Sequence, residues 1–204
     1  MTFGPPLADG RGTLVLVSDD NFNPDQEATT FLVFAMERGP MTVARIQGAG
    51  VQQVPLDRST GYSLPVDRIL GEWLPATKLV FVCSPNNPTG NRFPDAEIAR
   101  LCAGLRGRGV VVLDAAYQEF AGEDPMHDLL ASHDNLVVLR TLSKALGLAG
   151  VRCGALIGRI DLVEMLGRVL PPYCFPTTSQ DAVLRLLTPE ATAELARRRS
   201  LILA

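Results

Sequence analysis

The chain has 204 residues, of which 47% are hydrophobic and 20% charged, and its formal net charge is -3. These values are typical of a globular protein with one substantial core, and they argue against a strongly basic surface for nucleic acid. No apolar run is long enough to span a membrane, and the amino-terminal MTFGPPLADGRG lacks the order of a signal peptide. We therefore expect a cytoplasmic protein with neither a nucleic-acid nor a membrane partner.

The cysteines and histidines give no sign of a metal site. Cys83, Cys102, Cys153 and Cys174 are widely spaced, no pair has CxxC spacing, and no histidine lies near enough to suggest zinc. We expect buried free thiols and no metal. His127 and His133 fall in a polar stretch of loop character and are expected to be solvated.

The first 77 residues carry a weak pattern. TLVLVS (13–18) predicts a strand, and the polar stretch that follows it predicts no element. ARIQGAGVQQVPL (44–56) suggests the end of a helix, a glycine turn and a second strand.

From residue 78 onward the pattern is regular. Short apolar runs predict buried strands over residues 78–84, 110–114, 135–141 and 152–158. Helices are predicted between and after them, over 95–105, over 161–170 before Pro171, and in two segments from about 178 that part at Thr188-Pro189. Apolar strands that alternate with amphipathic helices predict an α/β fold, with a mostly parallel sheet sandwiched by helices.

Three polar residues follow strands of the predicted sheet. Asn87, Asp114 and Lys144 lie at or just past strand ends, 27 and 30 residues apart, which is about one strand–helix–strand unit each. Ligands of such sheets bind beyond the carboxyl ends of the strands, so we expect these side chains to converge there. Taken singly, Asn87 could serve only a turn, Asp114 only a helix N-cap and Lys144 only the surface.

Three ordered motifs resemble a known family. SPNNPTG (84–90), DAAYQEF (114–120) and RTLSKALGLAGVRCG (140–154) are similar to the motifs of class I/II, fold-type I pyridoxal-phosphate aminotransferases, and most of all to the histidinol-phosphate aminotransferase branch. The resemblance covers roughly residues 44–187 and is strong between 78 and 154. It implies the large-domain fold of that family, pyridoxal 5'-phosphate as cofactor, an amino donor and a 2-oxo acid as substrates, and a homodimer.

The resemblance also implies roles at the cofactor ring. Lys144 would hold pyridoxal phosphate as an imine and then move the proton between substrate and cofactor, a task that suits an amine whose pKa falls readily on desolvation. Asp114 would pair with the pyridine nitrogen. Tyr117 and Asn87 would both donate to the phenolic oxygen.

The phosphate group of the cofactor would be held by a second set of residues. By resemblance these are Thr141, Ser143 and Arg152, two hydroxyl donors and a guanidinium. A surface ion pair for Arg152 and a plain strand end for Thr141 are the alternatives. Glu119 of DAAYQEF is expected to be structural, because the lysine already supplies the proton transfer.

The chain also departs from the family pattern. No glycine loop for the phosphate is evident before residue 44, and Phe34 is a weak candidate for the ring that stacks on the pyridine, a core position being equally consistent with it. We expect three parts: a poorly matched segment over 1–43, a cofactor-binding portion over 44–187, and the start of a small domain over 188–204. The family's amino-terminal arm and carboxyl-terminal domain, with its substrate arginine, are missing from the pattern, so we expect truncation at both ends.

The leading functional hypothesis is therefore transamination of L-histidinol phosphate with 2-oxoglutarate in histidine biosynthesis. Another class I/II aminotransferase, acting on aromatic or other amino acids, is the first alternative, and a catalytically inactive remnant of the large domain is the second. A nucleotide-binding domain is a distant possibility, because no G-x-G-x-x-G follows a strand.

Overall fold

The computed structural model describes the backbone of residues 12–17 and residues 51–122, 124–168 and 175–203 in full. Several predictions of the sequence lie outside these ranges. They are the aromatic candidate Phe34, the missing glycine loop, the segment 44–50, Cys174 and most of the amino-terminal segment.

The core of the fold is a sheet of five strands within the described residues. The strands are β1 (Gly12–Val17), β2 (Leu79–Cys83), β3 (Val110–Asp114), β4 (Leu136–Thr141) and β5 (Cys153–Gly158). Their order in the sheet is β1-β5-β4-β3-β2. The strands β2, β3 and β4 are parallel neighbours, and β5 is antiparallel to both β4 and β1. Four strands therefore share one direction, which confirms a mostly parallel sheet.

The reversal of β5 was not predicted. Its cause lies in the connection from β4, because residues 142–152 hold only a short 3-10 helix, Ala149–Val151, and no crossover helix. Without such a helix the chain cannot return to the start of the sheet and must pair as a hairpin. The Leu142 N–H donates to the Cys153 carbonyl at 3.0 Å, which continues the pairing beyond the last strand residues.

Six helices of four or more residues surround the sheet in the described part of the chain. They are α1 (Val66–Gly71), α2 (Asp95–Leu105), α3 (Met126–Ser132), α4 (Ile160–Gly167), α5 (Thr177–Leu186) and α6 (Pro189–Leu203). The helices predicted over 95–105 and around the break at Thr188-Pro189 are confirmed. The loop expected around His127 is wrong, since that residue lies in α3, and residues 51–57 form no strand.

Both faces of the sheet are covered by apolar side chains. On one face, Leu136 and Val138 of β4 join a cluster with Leu101 and Leu105 of α2. On the other face, Val137 and Leu139 join a cluster that includes Val163 of α4. Because successive residues of β4 enter opposite cores, the strand reads as a continuous apolar run rather than an alternating one.

Two further predictions concern the surface and the thiols. Within the described residues, no helix is both long and apolar enough to cross a membrane. Cys102 and Cys153 are buried free thiols, and Cys83 is a half-buried one.

Candidate active site

The parallel strands bring Asn87, Asp114 and Lys144 to one edge of the sheet. Cys83, the last residue of β2, lies opposite Asp114, the last residue of β3, and Asp114 lies opposite Leu139 of β4. The ladder continues past these ends, since the Ser84 N–H donates to the Asp114 carbonyl at 3.0 Å. The turns after β2 and β4 therefore leave the sheet side by side.

Asn87 projects from a tightly closed turn. The Gly90 N–H donates to the Asn86 carbonyl at 2.7 Å, and Gly90 has the positive φ of 75° that favours glycine. The turn is fastened to the core where the Ser84 hydroxyl, itself buried, accepts the Phe93 N–H at 2.9 Å. The peptide bonds Ser84–Pro85 and Asn87–Pro88 are cis. This local network fixes the backbone from which the Asn87 amide reaches out.

Asn87, Tyr117 and Lys144 meet beyond the strand ends. The Asn87 amide Nδ2 donates to the Tyr117 hydroxyl at 3.1 Å. Lys144 Nζ lies 5.5 Å from the centroid of the Tyr117 ring, within the range of a cation–π contact. Asn87 and Lys144 are exposed and Tyr117 is half-buried, so the three polar groups face solvent at one point.

Asp114 ends β3, three residues before Tyr117, and interacts electrostatically with Lys144. Its Oδ1 accepts the Ala116 N–H at 3.1 Å. Burial raises the pKa of the Asp114 carboxyl, and the Ala116 N–H and the positive charge of Lys144 lower it in part. The result is a raised pKa, because desolvation is the largest of these effects. Because burial disfavours the ionised carboxylate, a partner with a positive charge or an N–H donor would stabilise it.

Lys144 stands at the start of a turn in the β4–β5 connection. The Gly147 N–H donates to the Lys144 carbonyl at 3.0 Å, and Gly147 has a φ of 67°. A side chain at that φ would strain the backbone, which explains glycine in ALGLAG. The turn holds Lys144 clear of the sheet and next to Tyr117.

The residues expected at the phosphate lie at the end of β4 and in the same connection. The Thr141 hydroxyl accepts the Ser143 N–H at 3.1 Å and donates to the Cys153 carbonyl at 3.5 Å. Arg152 has a left-handed backbone, with a φ of 50°, and its Nη1 donates to the Ala149 carbonyl at 3.1 Å. Thr141 therefore ends β4, Ser143 and Arg152 lie in the connection that follows it, and Thr141 and Ser143 are in direct contact.

The structure also shows an ion-pair cluster that sequence reasoning missed. Arg140 Nη2 donates to Glu119 Oε1 at 2.6 Å, and its Nη1 donates to Asp124 Oδ2 at 2.5 Å. We call these three residues the Arg140 cluster. The available signal was an arginine that directly follows the buried apolar run LVVL within the same strand, LVVLRT.

A cavity of about 320 Å³ lies beside the cluster, between the ends of β4 and β5 and helix α5. Its walls include Arg140, Cys153, Ala155, Val183 and Leu184, and they are mostly apolar. The sequence did not predict it, since it depends on where α5 packs. Among the described residues, no group of three or more histidine, cysteine or acidic side chains is placed to hold a metal ion.

Two relatives of similar sequence are both histidinol-phosphate aminotransferases. Histidinol-phosphate aminotransferase 1 of Legionella pneumophila (strain Philadelphia 1) is 40% identical over 143 residues, which are 70% of this chain and 39% of the relative. Histidinol-phosphate aminotransferase of Stenotrophomonas maltophilia (strain R551-3) is 40% identical over 163 residues, 79% of this chain and 45% of the relative. The chain thus spans less than half the length of these curated relatives.

Solved structures show the same fold. A double mutant of Thermus thermophilus aspartate aminotransferase superposes with a TM-score of 0.68 at 25% identity, over 78% of this chain and 43% of that one. Histidinol-phosphate aminotransferase of Clostridium acetobutylicum gives a TM-score of 0.69 over 79% of this chain and 48% of that one, and at 17% identity it supports the fold alone.

The family model described as "Aminotransferase class I and II" matches residues 41–204, which is most of the chain. Enzymes of this family depend on pyridoxal phosphate. The fold, the relatives and the family model agree, and the chain belongs to the class I and II aminotransferases.

Proposed function

We propose that this chain binds pyridoxal 5'-phosphate and contributes to transamination, with L-histidinol phosphate as amino donor and 2-oxoglutarate as acceptor. The observation that supports this most is the meeting of Asn87, Tyr117 and Lys144, with the Asp114 carboxyl near enough to interact with the Lys144 charge. When bound, the cofactor supplies an electron-accepting ring that weakens the bonds of the amino-bearing carbon of the substrate.

The donor set fits that cofactor. A primary amine can hold an aldehyde covalently, a carboxyl can pair with a ring nitrogen, and two neutral donors can stabilise an ionised ring oxygen. Burial raises the pKa of Asp114, and a positively charged or protonated ring nitrogen would offset that cost of ionisation. These four groups therefore match the reactive half of pyridoxal phosphate in number and in chemistry.

Each residue has a distinct task in this proposal. Lys144 Nζ would hold the cofactor and would carry the proton to and from the substrate carbon. Asp114 would pair with the ring nitrogen, and Asn87 and Tyr117 would donate to the ring oxygen. Thr141, Ser143 and Arg152 would bind the phosphate, for which the Thr141 hydroxyl and the Arg152 guanidinium would exchange the backbone acceptors they contact here.

The composition of the chain makes the covalent step easy to test, because it contains only two lysines, Lys78 and Lys144. Lys78 lies before β2, at the opposite end of that strand from Asn87, and its Nζ donates to the Pro75 carbonyl at 3.0 Å. It is exposed like Lys144, so Lys78→Ala is a matched control for Lys144→Ala.

The experiment mixes the purified full chain with pyridoxal phosphate, records the visible absorbance of lysine-bound cofactor, reduces with borohydride and maps the labelled peptide. We expect the band and the label in the wild type and in Lys78→Ala, with the label on Lys144. A band that persists in Lys144→Ala would refute the assignment. A wild type without any band would favour the inactive remnant.

The choice of substrate rests on the relatives named histidinol-phosphate aminotransferase. A single-turnover reaction of the loaded chain tests it, with L-histidinol phosphate compared against aromatic amino acids. Faster loss of the visible band with an aromatic amino acid would favour the alternative of another class I/II aminotransferase. The division at 43 and 187, the homodimer and the cytoplasmic location stay predictions.

A further inference from the structure

The Arg140 cluster is the most enclosed ion-pair group close to the candidate site. The side chains of Arg140 and Glu119 are only 20% and 21% exposed, and that of Asp124 is 38% exposed. The two terminal nitrogens of one guanidinium thus contact two different carboxylates, both of which follow β3 in the sequence. Because the guanidinium is planar, its two contacts fix the orientation of each carboxylate relative to Arg140 as well as its distance.

The cluster joins the two segments that carry the site. Glu119 lies in the 3-10 helix Gln118–Phe120, which begins directly after Tyr117. Arg140 lies in β4, next to Thr141 and four residues before Lys144. The contact between Glu119 and Arg140 therefore sets the segment with Asp114 and Tyr117 against the strand that leads to the lysine.

Stability alone does not account for this arrangement. The second carboxylate oxygen of Glu119, Oε2, is buried without a hydrogen-bond partner among the described residues. An unpaired buried oxygen is unfavourable, and a buried ion pair often stabilises a fold less than apolar side chains of the same volume would. What the pair does provide is a defined geometry between two segments.

We infer that Arg140 and Glu119 are positioning residues, which keep Tyr117 and Asp114 aligned with a cofactor ring held by Lys144. This inference rests on the proposed function. Neither residue would contact the cofactor itself. They act through the 3-10 helix on one side and through the end of β4 on the other.

The test uses Arg140→Lys, which keeps the positive charge and removes the fork, and Glu119→Gln, which keeps the shape and removes the charge. Three quantities are measured on the full chain. They are the affinity for pyridoxal phosphate from the visible absorbance, the circular dichroism of that band per bound cofactor, and the thermal midpoint of the cofactor-free chain. The dichroism reports how the ring is oriented in the protein, which a purely structural role would leave unchanged.

Arg159→Lys is the matched control. Arg159 also contacts two carboxylates, those of Asp134 and Asp161, but its side chain is 54% exposed. It follows Gly158, which lies opposite Val137 near the start of β4, so it stands at the other end of that strand from Thr141.

We expect Arg140→Lys and Glu119→Gln each to weaken cofactor affinity on the order of tenfold, as is typical when a residue that orients a ligand-holding group is lost. The dichroism per bound cofactor should change as well, while Arg159→Lys should match the wild type in both. A lower thermal midpoint with unchanged affinity and dichroism would overturn the positioning role. If the wild type gave no band, the proposed function and this inference would both fail, whereas a wild-type band that both variants reproduce would overturn the inference alone.

Discussion

The hydroxyl of Tyr117 offers a direct measure of how the candidate site recognises its cofactor. This hydroxyl accepts a hydrogen bond from the exposed Asn87 amide at 3.1 Å. Tyr117→Phe removes it and keeps the ring that Lys144 faces at 5.5 Å. The unfolding free energy should change by less than about 1.5 kcal/mol, the upper range for a neutral hydrogen bond.

The effect on cofactor binding should be larger. A hydrogen bond to a charged oxygen contributes about 1.5–3 kcal/mol, and each 1.4 kcal/mol is a factor of about ten in affinity. Tyr117→Phe should therefore weaken pyridoxal phosphate binding between about 10- and 150-fold. Since Asn87 remains as a second donor, we expect a value toward the lower end.

The assay is a titration of the full chain with pyridoxal phosphate, followed by visible absorbance, beside a urea unfolding curve without cofactor. Tyr62→Phe is the control, because it also removes a phenolic hydroxyl from a half-buried tyrosine but lies ahead of α1. Affinity within twofold of the wild type in Tyr117→Phe would refute the donor role. Equal losses in Tyr62→Phe and Tyr117→Phe would do the same.

Two further predictions concern stability. Because burial raises the pKa of Asp114 in the folded chain, its ionisation disfavours folding above that pKa and has no effect well below its ordinary value of 3.8. Asp114→Asn should thus be more stable than the wild type at neutral pH, by a margin that shrinks as the pH falls toward 3.8, and urea midpoints at several pH values measure it; a margin that grows on acidification would contradict the sign. At Gly109 an added Cβ would lie 2.4 Å from the Trp73 ring and 3.1 Å from a backbone oxygen, so Gly109→Ala should destabilise by about 1–3 kcal/mol. At Gly104 the same atom would meet only the flexible end of Leu70 at 2.7 Å, and alanine favours the helix by roughly 0.5–1 kcal/mol, so Gly104→Ala should stay within about 1 kcal/mol of the wild type. Fluorescence of Trp73, the single tryptophan, follows both unfolding curves, and equal midpoints for the two variants would show the packing argument to be wrong.

The sequence predicted the central strands well because both faces of the sheet are buried. Val137 and Val138 enter opposite cores, so β4 is apolar at every position from Leu136 to Leu139 and stands out from its polar turns. Helix α2 was equally clear, since Ile98, Leu101 and Leu105 repeat at helical spacing and are all buried.

The short helices were harder to predict. Helices α1 and α3 have six and seven residues, too few for a periodic pattern to exceed chance. The residues of β5 do not indicate its direction either, because the small and apolar side chains of CGALIG are compatible with a parallel or an antiparallel strand. What decides it is the connection before the strand, where no crossover helix forms.

The candidate site shows the same division between local and long-range information. Motif spacing placed Asn87, Asp114 and Lys144 at strand ends, and the register of the parallel strands brings these ends together. The contacts of Arg140 could not be predicted, because Glu119 and Asp124 are 21 and 16 residues away along the chain. This ion pair depends on the tertiary structure, which brings the 3-10 helix next to the end of β4.

The hairpin that joins β4 to β5 has a consequence for the order in which the site forms. Residues 142–152 close it, whereas the crossovers over 84–109 and 115–135 are about twice as long. The entropy lost on closing a loop grows with its length, and contacts that are near in sequence tend to form first. The lysine end of the site can therefore assemble from residues 136–158 alone. The carboxyl and amide ends depend on the parallel ladders, so a full chain that refolds should position Lys144 before it positions the groups that orient the ring.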